Sequence, residues 1–292
     1  MTVTAIRRSG SVPSPPHLRV APERDRPLTL AVTSGKGGVG KSQLVASLGV
    51  LLTRAGHQVM LVDADVGCGN LDVLFDVRLP VDLREVLRGE KTAEDAVVQV
   101  PCGDVTLPLL PAPAADRNGA ELAPAEQLGV IEAVSSVARA CDVVLVDTGA
   151  GVSRNPMLFA AAADRVLLVT TPEPTAIRDA YAAIKVMHQA HGVRRVEIVV
   201  NEAASSRDGK AVYGRLANVV GRFLDVELGL VGVLPVDDRV PRSVRARRPV
   251  AAEYPAAAYC RAVEQMVPRL LADVPARSDG GVRFFARNEV SP

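Results

Sequence analysis

The chain has 292 residues and a formal net charge of +1, with 48 % hydrophobic and 23 % charged residues. This balance suits an α/β protein with one sizeable domain, and it leaves no global pull toward nucleic acid or anionic membrane, so any such contact must be local. Aromatic residues are 3 % and Trp is absent, which leaves little for stacking on single-stranded nucleic acid; Cys68, Cys102, Cys141 and Cys260 stand far apart with no C-x-x-C, which argues against a zinc or iron–sulfur site and fits a reducing cytoplasm.

No apolar run approaches the length of a membrane span, and the first residues hold no signal-peptide core. Residues 1–27 carry proline, serine and arginine without periodicity and are expected to be a disordered tail. Residues 28–274 are expected to form the folded domain, with 275–292 as a carboxyl-terminal tail.

The domain opens on LTLAVTSGKGGVGKS, Leu28 to Ser42. A short apolar run leads into a glycine-rich turn and then a helix-compatible segment. The spacing G-x-x-x-x-G-K-[ST] falls on Gly35, Gly40, Lys41 and Ser42. Glycines let the backbone turn several N–H groups inward, and the helix amino terminus adds its dipole, so polyphosphate binds there. We take Gly35, Lys36, Gly37, Gly38, Val39, Gly40, Lys41, Ser42 and Gln43 as the nucleotide-binding run. Lys41 would reach the outer phosphates, and the Ser42 hydroxyl would sit on Mg²⁺. A plain flexible turn is the alternative, and the strand–loop–helix context speaks against it.

Gly56 is a plausible stop for the first helix. Val59 to Val62 is the next buried strand and runs into DADVGCGNLD. Asp63 and Asp65 leave its carboxyl end, which in a parallel sheet faces the ligand crevice. One carboxylate there can hold Mg²⁺ through water, and the other can orient an attacking water. Two turn-forming aspartates are the alternative.

Asp82 to Leu87 reads as a short helix, and Thr92 begins another. Val97 to Val100 and Val105 to Leu110 flank the turn Pro-Cys-Gly-Asp as a hairpin or bent pair. Pro111 to Ala123 reads as a loop. Pro124 to Ala140 reads as a helix, with Leu128, Ile131, Val134, Val137 and Ala138 near one face. Val143 to Val146 is a buried strand ending in Asp147, and Gly149 and Gly151 permit a loop that responds to a γ-phosphate. Val166 to Thr170, Val196 to Val200 and Leu230 to Leu234 are further strands. The second of these ends at Asn201 and the third runs into PVDD. Thr175 is placed to cap a helix. Gly209 to Asp225 and Pro255 to Leu271 read as helices. Uniformly apolar strands alternating with helices predict a mostly parallel sheet of about seven strands covered on both faces.

Lys36, directly after Gly35 and opening KGGVGKS, resembles the deviant Walker A lysine of the MinD/ParA class of dimerising ATPases. The likeness extends over about Leu28 to Leu271. DADVGCGNLDVLF, from Asp63, and DTGAGVSRNPMLFAAAADRVLLVTTPEPTAIRDAYAAIK, from Asp147, resemble the FlhG/FleN group that sets flagellar number and placement. The resemblance implies a P-loop NTPase fold with ATP and Mg²⁺ as cofactors. It implies catalytic roles for Lys36, which reaches the partner's nucleotide, for Lys41, and for Asp65, which orients water. Ser42, Asp63 and Asp147 become the magnesium set. Asn201 resembles the adenine-reading asparagine, and Pro235 and Asp237 sit where the class packs its base-contacting loop. No N-K-x-D is present, since Ala204 takes the place of the guanine-reading aspartate. Residues 1–27 hold none of the D-Q-A run with which FlhG proteins stimulate the GTPase FlhF.

Arg239, Arg242, Arg245, Arg247 and Arg248 form a basic cluster, with Arg242, Arg245 and Arg248 spaced for one helical face. It is either a solvated face or a contact for DNA backbone, as in ParA proteins. In GVRFFARNEV, the residues Val282, Phe284 and Phe285 alternate with basic ones, and relatives use an amphipathic carboxyl-terminal helix to sit on membrane. The implied function is an ATP-dependent homodimeric switch with slow hydrolysis. It would control flagellar number or placement through flagellar assembly or transcription-regulatory partners. The implied location is the cytoplasm, and the inner face of the anionic membrane when ATP-bound. A ParA-type partition ATPase and a MinD-like division ATPase are the alternatives. A metabolic kinase would need an acceptor pocket, for which no residue set stands out.

Overall fold

The computed structural model describes residues 26–66, 68–113, 122–272 and 282–285. The expected amino-terminal tail, apart from Arg26 and Pro27, lies outside the described residues, as does most of the carboxyl-terminal one.

In chain order the elements are β1 (Leu28–Ser34), α1 (Lys41–Arg54), β2 (Val59–Ala64), α2 (Leu71–Leu74), α3 (Leu83–Leu87), α4 (Ala93–Ala96), β3 (Val98–Cys102), β4 (Val105–Leu110), α5 (Pro124–Val137), β5 (Val143–Ala150), α6 (Arg154–Ala162), β6 (Arg165–Thr170), α7 (Pro174–His191), β7 (Arg195–Ala203), α8 (Ser206–Phe223), β8 (Glu227–Pro235), α9 (Arg239–Arg245), α10 (Val250–Glu253) and α11 (Ala258–Leu271). Among the described residues the strands form one eight-stranded sheet in the order β3-β4-β2-β5-β1-β6-β7-β8. All pairings are parallel except β3 with β4. The sheet has one strand more than the expected seven or so, and the expected pair on either side of Cys102–Gly103 forms its antiparallel edge hairpin, β3 with β4, where Gln99 and Pro101 are exposed.

The central strands are buried on both faces, which is why they read as unbroken apolar runs. On β1, Leu28, Leu30 and Val32 join a core layer with α1, α2, α10 and α11. Ala31 joins the opposite layer, built with α3 to α8. This alternation follows the two-residue period of a strand. The chain moves from β1 to β2 on one side of the sheet and reaches β6 on the other. The crevice at the carboxyl end of β1 is therefore a topological switch point.

Several local expectations are corrected. α5 ends at Val137 and buries Gln127, Val130, Ile131, Ala133 and Val134, while Leu128 is exposed. The buried face is thus rotated from the one expected. α7 begins at Pro174 with Glu173 as its cap residue, so Thr175 lies inside the first turn. Residues 154–162, read in sequence only as part of a longer motif, form α6; its small alanines let it lie close on the sheet.

Two polar ties hold the far side together. The buried Arg165 guanidinium of β6 pairs with Glu197 of β7 and donates to the carbonyl oxygens of Arg269 (2.7 Å) and Leu270 (2.9 Å). It thereby satisfies carbonyls that the last turn of α11 leaves open. Asp164 accepts both Arg26 guanidinium N–H groups (2.6 and 2.9 Å) and the Thr29 N–H (2.9 Å) and hydroxyl (2.8 Å). The domain is pinned where β1 begins.

The segment 282–285 docks on this side. The Phe284 N–H donates to the Ala162 carbonyl, the Phe285 N–H to Ser135 Oγ, and Phe284 is 2 % exposed within the layer of α3 to α8. Val282 is exposed and Phe285 partly buried. In this conformation Phe284 is a core residue, whereas the expected amphipathic anchor needs it at the surface.

Candidate functional site

β1 delivers the chain into the glycine-rich loop, and α1 starts at Lys41. Gly38 and Gly40 adopt φ of 78° and 92°, a left-handed backbone that side-chain-bearing residues rarely take. Gly35 is required by a close approach: a Cβ there would fall 2.0 Å from the Asp179 carbonyl oxygen of α7. Gly37 has open space beside it. The Gly151 N–H donates to the Ser34 carbonyl at 2.9 Å, so the loop after β5 is tied to the start of the phosphate loop.

Lys41 is 7 % exposed and faces a carboxylate group made by neighbouring strands. Asp63 of β2 and Asp147 of β5 are register partners, both 2 % exposed. Burial pushes Asp147 up to about 7, with Asp63 adding to it and Lys41 and a hydrogen bond from Ser42 opposing. Burial likewise pushes Asp63 up to about 6, against backbone N–H donors that favour its charge. Asp65, just past β2, is raised by burial and lowered by Lys41. The structure thus brings Lys41, Ser42, Asp63, Asp65 and Asp147 together.

Ser42 and Asp147 suit a magnesium nucleotide. Asp147 Oδ1 is buried with no hydrogen-bond partner among the described residues, and the hydroxyl beside it belongs to Ser42 in the first turn of α1. A hard cation that keeps several waters and takes its remaining ligands from phosphate needs no more from the protein.

Lys36 differs from its neighbours. It is half exposed, and its ammonium pairs with Glu173 at the start of α7. The Glu173 contact escaped sequence reading, although the run TTPEP after β6 marked the place. Buried hydroxyls without hydrogen-bond partners among the described residues gather at the same strand ends, on Thr33 of β1, on Thr170 of β6 and on Thr171 just after it.

Asn201 lies inside β7 and is buried; its amide donates to the Val39 carbonyl at 2.9 Å. It therefore packs on the phosphate loop itself, and a Cβ on Gly40 would meet its Nδ2 at 2.3 Å. The Asn201 amide oxygen remains as an acceptor suited to an amino group on a base. Pro235 ends β8. Asp237 uses its carboxylate on the N–H groups of Arg239 (3.0 Å) and Tyr259 (3.3 Å), so it anchors the loop to α9 and α11. Gln43 is buried and donates to Ser243 Oγ of α9 at 2.8 Å.

The arginine cluster is not one helical face. α9 ends at Arg245, and Arg247 with φ of 52° turns the chain before Arg248. Arg239, Arg242, Arg247 and Arg248 pair with Asp237, Asp238, Asp76 and Glu253.

A parallel sheet with a glycine loop at its switch point, a buried lysine and a strand-end aspartate against a helix-start serine define a P-loop nucleotide-binding protein. Comparison with known proteins is more specific. Residues 30–250 match the CobQ/CobB/MinD/ParA nucleotide binding domain. The chain is 37 % identical to antiactivator FleN of Pseudomonas aeruginosa, over 89 % of this chain and 92 % of that one. It is 32 % identical to the flagellum site-determining protein YlxH of Helicobacter pylori, over 83 % and 81 %. Among solved structures, MinD with Mg-ADP from Pyrococcus horikoshii superposes with a TM-score of 0.65 at 25 % identity, covering 82 % of this chain and 94 % of that one. The MinC:MinD cell division complex of Aquifex aeolicus gives 0.67 at 25 %, covering 86 % and 98 %. The chain belongs to the MinD/ParA nucleotide-binding family, with an antiactivator and a flagellum site-determining protein among its relatives.

Proposed function

We propose that the protein is an ATP-dependent dimerising switch that controls flagellar number or placement by binding partners in one nucleotide state. The observation that carries this reading is the placement of Lys36. It is half exposed at the rim of the phosphate loop, while Lys41 is sealed inside. A cation at the rim suits delivery to a nucleotide held by a second copy, where it would act on the transition state. The flagellar part of the reading is supported by the likeness to FleN and YlxH.

In this reading the glycine loop and α1 amino terminus hold the phosphates through backbone N–H groups. Lys41 neutralises the outer phosphates. Asn201 and the loop from Pro235 to Asp237 hold the base, with adenine preferred. Ser42 and Asp147 hold the ion, which when bound would screen the phosphate charge. Asp65, half-buried and beside Lys41, orients the attacking water as a general base.

A partition role with non-specific DNA contact is less supported, because four of the five clustered arginines already face a carboxylate. A membrane role through the tail requires residues 282–285 to leave the site where Phe284 is buried. The test is capture with an Asp65→Ala protein held in ATP against the same protein in ADP. Retention of flagellar assembly or regulatory proteins in ATP alone supports the proposal. Retention of DNA alone, with binding that falls steeply with salt, supports the partition role instead.

A further inference from the structure

The group that the sequence marks as a magnesium ligand, Asp63, is committed elsewhere. Its Oδ1 accepts the Asp65 N–H at 3.0 Å. Its Oδ2 accepts the Asn70 N–H at 3.0 Å and the Leu71 N–H at 3.1 Å. A carboxylate offers about four acceptor positions. Both on Oδ2 are filled, and one of those on Oδ1. One buried side chain therefore closes both ends of the stretch that carries Asp65.

The surroundings are shaped for this closure. Gly69 lies so close that a Cβ there would stand 2.8 Å from Asp63 Oδ2. Within the stretch, the Cys68 N–H donates to the Asp65 carbonyl at 3.1 Å, and Asn70 Nδ2 to the Cys68 carbonyl at 2.7 Å. On the other side, a Cβ on Gly149 would stand 2.8 Å from Asp65 Oδ1, so Asp65 rests against the end of β5. Its position is fixed from below by Asp63 and from the side by the β5 strand end.

We propose that Asp63 is a positioning residue: it clasps Asp65 at one end and Asn70 and Leu71 at the other, and so places the Asp65 carboxylate for hydrolysis. The inference rests on the ATPase reading for its kinetic consequence, but the clasp itself exists without nucleotide. Asp63→Asn puts an amide N–H₂ against backbone N–H donors and breaks part of the clasp. Gly69→Ala crowds the same oxygen without altering charge.

Two measurements test it. Amide hydrogen exchange on the nucleotide-free protein should show Asn70 and Leu71 exchanging about tenfold faster or more in both variants, the loss of a charge-assisted hydrogen bond. Steady-state kinetics should show kcat falling about tenfold to a hundredfold, with KM for ATP and the magnesium half-saturation each within about twofold of wild type. Unchanged exchange at Asn70 and Leu71 overturns the clasp. A magnesium half-saturation raised tenfold in Asp63→Asn, with Gly69→Ala hydrolysing like wild type, returns Asp63 to the role of magnesium ligand. If Asp63→Asn does not fold, as circular dichroism would show, Gly69→Ala decides alone. A wild-type protein that binds no ATP defeats the functional reading and leaves the exchange result standing.

Discussion

Lys36 is ion-paired with Glu173, 137 residues further along the chain, and the pair ties the rim of the phosphate loop to the first turn of α7. Both side chains are well exposed, at 40 % and 58 %. An exposed pair of this kind holds weakly, because water screens it and two long side chains must be ordered. Lys36 is therefore tethered within its own subunit yet ready to leave. Glu173→Gln is expected to leave thermal stability unchanged and to alter the midpoint of ATP-driven association by no more than about fivefold. Lys36→Ala should abolish that association while retaining nucleotide. Calorimetric titration with ATP, followed by sedimentation of the same samples, separates the two effects.

The base end makes a second prediction. Asn201 both packs on Val39 and offers an acceptor, and no guanine-reading aspartate follows it. ATP should bind about tenfold or more tightly than GTP, since a site built for one hydrogen-bonding edge leaves its polar group unpaired with the other. Asn201→Ala should weaken ATP and narrow the preference. Equal affinity for the two nucleotides in direct titration would reject this assignment.

Asp164 gives a prediction about stability and pH. Burial alone would push its carboxyl up, but the Arg26 guanidinium and the Thr29 N–H and hydroxyl outweigh that and hold it below its ordinary value of 3.8. A carboxylate depressed in the folded state contributes stability above its unfolded pKa and loses it as pH falls through the folded value. Asp164→Asn should cost about 1–3 kcal/mol at pH 7. The gap from wild type should narrow below pH ~4. Denaturant titrations at a series of pH values would show it; a gap that is constant with pH would contradict the assignment.

Phe284 yields a fourth. As a core residue its replacement by Ala should cost up to about 3 kcal/mol, limited by release of the short segment, while Val282→Ala should stay within about 0.5 kcal/mol. Equal effects at the two positions in urea unfolding would mean the segment is not docked.

The phosphate loop, its strand and helix, and the Asp147 strand were legible because their chemistry is local: the glycine spacing, the lysine and the strand-end carboxylate all follow from neighbouring residues. The full hydrogen bonding of Asp63 and Asp237 was not, because each carboxylate takes one N–H two residues on, at Asp65 and Arg239, and others that the chain brings back only in the fold, at Asn70 and Leu71 and at Tyr259. The Arg242, Arg245 and Arg248 spacing misled because it assumes a helix that ends at Arg245. The Phe284 pattern is ambiguous for the opposite reason. Alternating apolar and basic residues suit a membrane surface, and they equally suit an edge segment with one ring in the core.

The central claim is that ATP joins two copies through Lys36. Light scattering with size exclusion on the Asp65→Ala protein measures it directly. The account predicts twice the monomer mass in ATP with Mg²⁺, the monomer mass in ADP, and the monomer mass in both when Lys36→Ala is added. One mass in both nucleotides, or an ATP dimer that survives Lys36→Ala, would contradict it.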